Sequence, residues 1–174
     1  MFEIKHLNPE TYRRQTRRST LIIALTFAVL AVVLSGVAVK LLGEAGGDNF
    51  WLNAAGVVIG LLLTVALVRF KFWSQGWMAP AVYGWQLKRN LMKVTNVMHY
   101  VTAGVEVNDP TAMKLLRFYH LGISEMHQLD ANSSAHLQMI QEIDQHRVRM
   151  TQLGIDTDQA RFDPAWINAV KARV

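Results

Sequence analysis

Two uncharged apolar stretches decide the fold of this chain: LIIALTFAVLAVVLSGVAV, residues 21–39, and FWLNAAGVVIGLLLTVALV, residues 50–68. Each stretch contains 19 residues. A helix that rises ~1.5 Å per residue makes such a stretch roughly 28 Å long, about the thickness of the hydrocarbon core of a bilayer. A helix can cross lipid as a single segment because it pairs its backbone N–H and C=O groups internally. The sequence therefore predicts an all-α protein with a two-helix transmembrane hairpin.

The hairpin divides the chain into three parts. Residues 1–19 form a basic cytoplasmic N-terminal segment, residues 20–71 form the hairpin with spans at about 20–42 and 50–68, and residues 72–174 form an interfacial segment followed by a cytoplasmic helical domain. The third part is long enough for one small domain with its own core. The chain has no cysteine, which excludes disulfides, thiolate metal sites and cysteine nucleophiles.

The positive charge of the chain lies beside the predicted spans. Residues 1–20 hold five basic and two acidic side chains, whereas residues 72–174 hold ten basic and nine acidic ones. The nearly neutral soluble part argues against nucleic-acid binding. The residues predicted at the cytoplasmic membrane interface are Arg13, Arg14, Arg17, Arg18, Arg69, Lys71, Trp73 and Trp77. Because residues 42–49 contain no Lys or Arg, the positive-inside rule predicts that both termini are cytoplasmic.

Small residues recur at helical spacing in both spans. The second span carries Gly56, Gly60 and Thr64, and the first carries Ala24 and Ala28. Such stripes let helix backbones approach each other closely in a membrane. They indicate either an interface with another chain or packing of the two spans against each other, and the sequence leaves both interpretations open.

The soluble part is predicted to be an antiparallel helical bundle. A long first helix, roughly 80–105, carries an apolar seam at a mean spacing of 3.5 residues, formed by Leu87, Leu91, Val94, Met98 and Val101. The seam fits a two-chain coiled coil or a core face within the bundle. Further helices are predicted at about 110–129 and 135–153, with a short last helix after Asp163-Pro164.

Motifs that carry chemistry are missing from the sequence. It contains no nucleophile elbow, zinc-protease motif or Gly-rich phosphate-binding motif, so no catalytic residue, cofactor or metal ligand is predicted. His120, His127, His136 and His146 are the residues that a metal or ligand site would use. Their spacing is more typical of ordinary polar positions than of a metal site.

Three phrases carry a resemblance to a known family: FEIKHLNPETYRR at 2–14, MAPAVYGWQLKR at 78–89 and LLRFYHLG at 115–122. The chain resembles an uncharacterised bacterial family of small two-span inner-membrane proteins, catalogued as a domain of unknown function. The resemblance implies a location in the bacterial inner membrane and brings no catalytic residues.

These observations favour a non-enzymatic accessory, scaffold or assembly protein of the inner membrane, with the lipid bilayer and either itself or another membrane protein as partners. The first alternative is a homo-oligomeric channel or transporter component. The second is a membrane-anchored cytoplasmic sensor of a metal or ligand.

Overall fold

The structure is a computed structural model that describes the backbone of residues 1–172 and the side chains of residues 1–132 and 139–172. Its described part is predominantly helical, with two strands of two residues each, which confirms the all-α class. In chain order the elements are β1 Phe2–Glu3, α1 Pro9–Leu42, α2 Phe50–Leu67, α3 Ala79–Thr95, α4 Met98–Glu106, α5 Pro110–Leu129, α6 Ser133–Gln152, β2 Arg161–Phe162 and α7 Ala165–Lys171. The chain divides into two compact units, Arg14–Val82 and Met1–Arg13 with Tyr83–Val174.

The first unit is an apolar hairpin of α1 and α2. Helix α1 is 34 residues long and begins at Pro9, earlier than the predicted span. Pro9 suits the first helical position, and the Asn8 side chain accepts a hydrogen bond from the Thr11 N–H at 3.0 Å, which caps the helix. Helix α2 continues through a π-helical turn, Val68–Phe72. By length and composition, Pro9–Leu42 and Phe50–Phe72 could each cross a membrane.

The second unit is a small helical domain. The sequence assigns residues 1–19 to a separate segment, but the structure groups Met1–Arg13 with the helical domain. Strand β1 pairs antiparallel with β2, Phe2 opposite Phe162, and the Ile4 N–H donates to the Ala160 carbonyl at 2.9 Å. The N-terminal residues are thus part of the domain fold.

The predicted long helix is two helices, a correction to the sequence interpretation. Helix α3 ends at Thr95 and α4 begins at Met98. Thr95, Asn96 and Val97 are weak helix formers, and at Val97 the N–H bonds to the Val94 carbonyl three residues back. Val97 is buried at this break, together with Val94 and Val101.

Helix α5 lies at the centre of the domain. Asp109 caps it by accepting a hydrogen bond from the Ala112 N–H at 2.9 Å, and Pro110 occupies its first turn. Its buried residues share one core with α3 and α4. Gly154, with a φ of +68°, follows the end of α6, and the left-handed conformation explains a glycine there.

Candidate functional site

The contact face of the hairpin is made of residues without bulk. Gly56, Gly60 and Thr64 are the buried residues of α2. A Cβ placed on Gly56 would lie 2.5 Å from the Ser35 Cα, and one placed on Gly60 would lie 2.9 Å from the Ala31 N. Each contact therefore joins backbone to backbone, which only glycine permits at this distance.

Two hydroxyl groups of the hairpin donate hydrogen bonds to backbone carbonyls within it. The Thr64 hydroxyl donates to the Gly60 carbonyl at 2.7 Å, and the Ser35 hydroxyl donates to the Asn53 carbonyl at 3.0 Å. The small-residue stripe of α2 is thus occupied by α1 of the same chain. Of the alanines predicted to take part, Ala28 is exposed and Ala24 lines an apolar groove of about 520 Å³ between the two helices.

The aromatic segment after α2 returns to the beginning of α1. The Ser19 hydroxyl donates to the Trp77 carbonyl at 2.8 Å, and Ser19 is fully buried. The Trp77 ring meets the Phe72 ring edge to face at 5.2 Å, and Trp73 lines the groove.

Most of the predicted interface cations are exposed: Arg14, Arg17, Arg18, Arg69 and Lys71. Arg13 instead donates to the Leu129 carbonyl at 3.3 Å.

The seam residues lie in the core of the helical domain. Leu87, Leu91, Val94 and Val101 are buried, and Met98 packs against them with partial exposure. Gly122 of α5 provides the room for this packing, since a Cβ there would lie 2.7 Å from Leu91 Cδ2. The structure uses the seam within one chain, as the bundle interpretation expects.

A cluster of buried polar side chains lies between α5 and α6. His120 is 1 % exposed, and neither of its ring nitrogens has a hydrogen-bond partner. The His146 ring meets the His120 ring edge to face at 5.2 Å. The His146 Nε2 lies 3.0 Å from the Met113 carbonyl. Because a carbonyl only accepts, this Nε2 carries the hydrogen.

Arg117 joins this cluster from the preceding turn of α5. Its Nε donates to the Thr157 carbonyl at 3.0 Å, while its Nη1 is buried without a partner. Burial, helped by the charge of Arg117 and by His146, lowers the pKa of His120 to about 3. Burial also lowers the pKa of His146. A group whose pKa is far below neutral stays uncharged and is poorly matched to proton transfer at physiological pH.

The histidine side chains that the structure describes do not converge on a metal site. The Glu142 Oε1 lies 3.5 Å from the His120 Nε2, but within the described part of the chain no three His, Asp or Glu side chains are grouped to hold a metal ion. The His136 side chain lies outside the described residues, and His127 is half-buried.

Two residues that the sequence did not single out fasten the N-terminal residues to the domain. The Tyr83 hydroxyl accepts from the Lys5 N–H and donates to the Lys5 carbonyl, both at 2.9 Å. The buried Glu125 carboxylate accepts from the Leu7 N–H at 3.1 Å and contacts the His6 Nδ1 at 3.0 Å. Both sets of contacts join residues far apart in the chain, so no local pattern signals them.

The comparison with known families identifies the chain. It belongs to the DUF3087 family, described as a protein of unknown function, whose profile matches residues 2–167. This confirms the resemblance to a family of unknown function. No curated protein and no solved structure matches the chain.

Proposed function

We propose that this protein is an integral protein of the bacterial inner membrane, whose hairpin of α1 and α2 crosses the bilayer and anchors a cytoplasmic helical domain. The observation that carries the proposal is the inverted side-chain arrangement of the hairpin. Gly56, Gly60 and Thr64 face inward, while large apolar side chains such as Leu25, Val32 and Leu62 are more than half exposed. A surface of this kind suits lipid, because lipid tails solvate apolar side chains and small residues permit close helix packing.

The orientation of the hairpin follows from its charges. Exposed arginines precede the apolar part of α1, and Arg69 and Lys71 follow α2. The connection between the helices contains Glu44 and Asp48 but no cation. The positive-inside rule then keeps both ends of the hairpin in the cytoplasm.

We assign the protein a non-enzymatic role as an accessory, scaffold or assembly subunit of a membrane complex. The hairpin supports this role because its outward faces are apolar along their length and available to another membrane helix. The stripe of Gly56, Gly60 and Thr64 is occupied inside the hairpin, and the seam is occupied inside the domain. Self-association or a foreign subunit would therefore use the outward faces of α1 and α2.

A second candidate role, a cytoplasmic sensor of a small ligand, is favoured by the unpartnered atoms of His120 and Arg117. Buried polar atoms without partners are uncommon, because each one forgoes its hydrogen bonds to water. A polar ligand that reached them would recover those bonds.

Single-cysteine labelling tests the membrane topology, and the natural absence of cysteine means that no background residue has to be removed. Glu44→Cys in the connection and Ser74→Cys after α2 replace exposed residues. In intact cells, a membrane-impermeant maleimide is expected to label Glu44→Cys alone and to reach Ser74→Cys after permeabilisation. Recovery of the protein in the soluble fraction, or labelling of Ser74→Cys in intact cells, contradicts the proposal.

The native mass of the full-length protein in mild detergent tests the role. An assembly with foreign subunits in fixed ratio supports an accessory protein, and a homo-oligomer supports a self-associating scaffold. A monomer that co-purifies with no other chain contradicts the proposed role.

A further inference from the structure

A surface cleft of about 320 Å³ lies between α3 and the region of β2. Four polar side chains on successive turns of α3 line it: Gln86, Arg89, Asn90 and Lys93. The remaining lining residues are Met1, Phe2, Trp85, Phe162 and Pro164. The lining thus has two cations, two amides and three aromatic rings, and it has no carboxylate.

Aromatic rings and an amide hold the two cations of the cleft. The Arg89 guanidinium carbon lies 4.9 Å from the centre of the Trp85 ring. The Lys93 Nζ donates to the Asn90 Oδ1 at 3.0 Å and lies 5.7 Å from the centre of the Phe162 ring. Contacts of this kind orient a cation without neutralising it, so the full positive charge of both residues remains available.

The other charged side chains near the cleft contact groups outside it. In the described part of the chain neither Arg89 nor Lys93 forms an ion pair, whereas the adjacent Lys88 pairs with Asp130 at 3.1 Å. Glu3 pairs with Arg161 at 3.2 Å. The Asp163 carboxylate accepts from the Ala165 N–H at 2.9 Å. The cleft therefore presents, beside the amide side chain of Gln86, two cations that form no ion pair with any residue that the structure describes.

We propose that this cleft is a binding site for a phosphate group. A phosphate oxygen accepts charge-assisted hydrogen bonds from the Arg89 guanidinium and the Lys93 ammonium, and the Gln86 amide lies beside them as a neutral donor. The exposed part of the Trp85 ring borders the site and provides an apolar surface for whatever the phosphate is attached to. The phosphate can belong to an anionic lipid headgroup or to a soluble phosphorylated molecule. The site is part of the helical domain and does not depend on the proposed membrane location.

Calorimetric titration of the full-length protein in an uncharged detergent tests the site. One arm uses inorganic phosphate, with ionic strength held constant by chloride. The other uses short-chain phosphatidylglycerol below its critical micelle concentration. The test variant is Arg89→Gln/Lys93→Gln. The matched control is Lys88→Gln/Lys114→Gln, which removes the same charge outside the cleft lining.

Saturable binding by the wild type and the control is expected, with affinity weakened about tenfold or more in the test variant, since each charge-assisted hydrogen bond contributes to the binding. Binding of inorganic phosphate indicates a soluble phosphorylated ligand, and binding of phosphatidylglycerol alone indicates a headgroup. Absence of saturable binding in both arms, equal affinity in the test variant, or an equal loss in the control overturns the proposal. Should the test variant lose its helical circular dichroism, Arg89→Glu alone, at an exposed position, must show the same loss of binding.

Discussion

Gly56 and Ser35 lie in direct contact across the hairpin, so close that a methyl group on the Gly56 α-carbon would stand 2.5 Å from the Ser35 Cα. One turn further along α2, Gly60 faces Ala31 in the same way. Because the two contacts run in opposite directions along the helices, they define the antiparallel register of α1 and α2. The hairpin is therefore held by backbone proximity rather than by interlocking large side chains.

Replacing Gly56 with leucine is expected to separate the two helices, since the new side chain would overlap the Ser35 backbone. The prediction is a lower midpoint of thermal unfolding for the protein in mild detergent. Gly36→Leu is the matched control, because no atom lies within 4 Å of a Cβ at Gly36. Equal midpoints for the two variants would show that Gly56 does not lie in a helix contact.

A charge in the seam is expected to unfold the helical domain. Val94 is 0 % exposed and Met92, two residues earlier on α3, is 63 % exposed. Val94→Asp buries an unpaired carboxylate and should lower the free energy of unfolding by several kcal/mol, which is large for a single substitution. Met92→Asp should leave thermal unfolding almost unchanged. A domain that tolerates both substitutions equally would place Val94 on a surface.

Loss of the Tyr83 hydroxyl is expected to release residues 2–7 from the domain. Tyr83→Phe leaves the Lys5 N–H and carbonyl without their partner, a cost of roughly 1–3 kcal/mol for buried groups. Faster hydrogen exchange at Ile4, Lys5 and Leu7 is the expected signal. Tyr119→Phe is the control, since the Tyr119 hydroxyl has no hydrogen-bond partner in the described part of the structure. Unchanged exchange in Tyr83→Phe would mean that β1 pairing and the Glu125 contacts hold the segment without the Tyr83 hydroxyl.

The buried histidines predict a loss of stability in acid. Burial lowers the pKa of His120 from 6.5 to about 3, so below pH 6.5 the unfolded chain binds a proton that the folded chain does not. The contribution of the uncharged His120 to the free energy of unfolding is fully present above pH 6.5 and is lost as the pH decreases toward 3. His146 acts in the same direction, because burial also lowers its pKa.

The measurement is the free energy of unfolding between pH 7.5 and pH 4 for the wild type and for His120→Leu. The variant removes the titrating ring and its two unpartnered nitrogens, so its stability should depend less on pH over this range. A variant with the same slope as the wild type would assign the acid sensitivity to other groups. His99→Leu, at an exposed position, should keep the wild-type slope.

Much of the helical organisation could be predicted from local patterns. The uncharged stretches at 21–39 and 50–68 predict α1 and α2, and Asp109-Pro110 predicts the beginning of α5. The spacing of Leu87, Leu91 and Val94 identifies the buried face of α3. These features repeat with the period of a helix, and that period is visible in one sequence.

The helix break at Asn96–Val97 could not be predicted in the same way. The apolar spacing continues across it, and Val94 and Val101 are buried on either side. A periodic pattern reports which residues are buried, and it does not report whether the backbone between them is continuous.

For the functional surfaces too, the sequence shows the residue types but does not show which of them lie close together. The histidines and arginines were visible as residue types, but the cleft needs Arg89 and Lys93 beside Phe162, which is about 70 residues away in the chain. The hydrogen bonds that hold the N-terminal residues likewise join Lys5 to Tyr83 and Leu7 to Glu125. Such pairs leave no local signal.

The sequence by itself determined the all-α class, the two long apolar helices, their flanking positive charge and the family of this protein. Only the tertiary structure decided which partner each surface has: the small-residue stripe packs within the hairpin, the seam packs within the domain, and residues 2–7 join the domain. The physical reason is that helices and their apolar faces are encoded by residues close together in the sequence. The choice among several apolar partners depends instead on shape and distance in three dimensions.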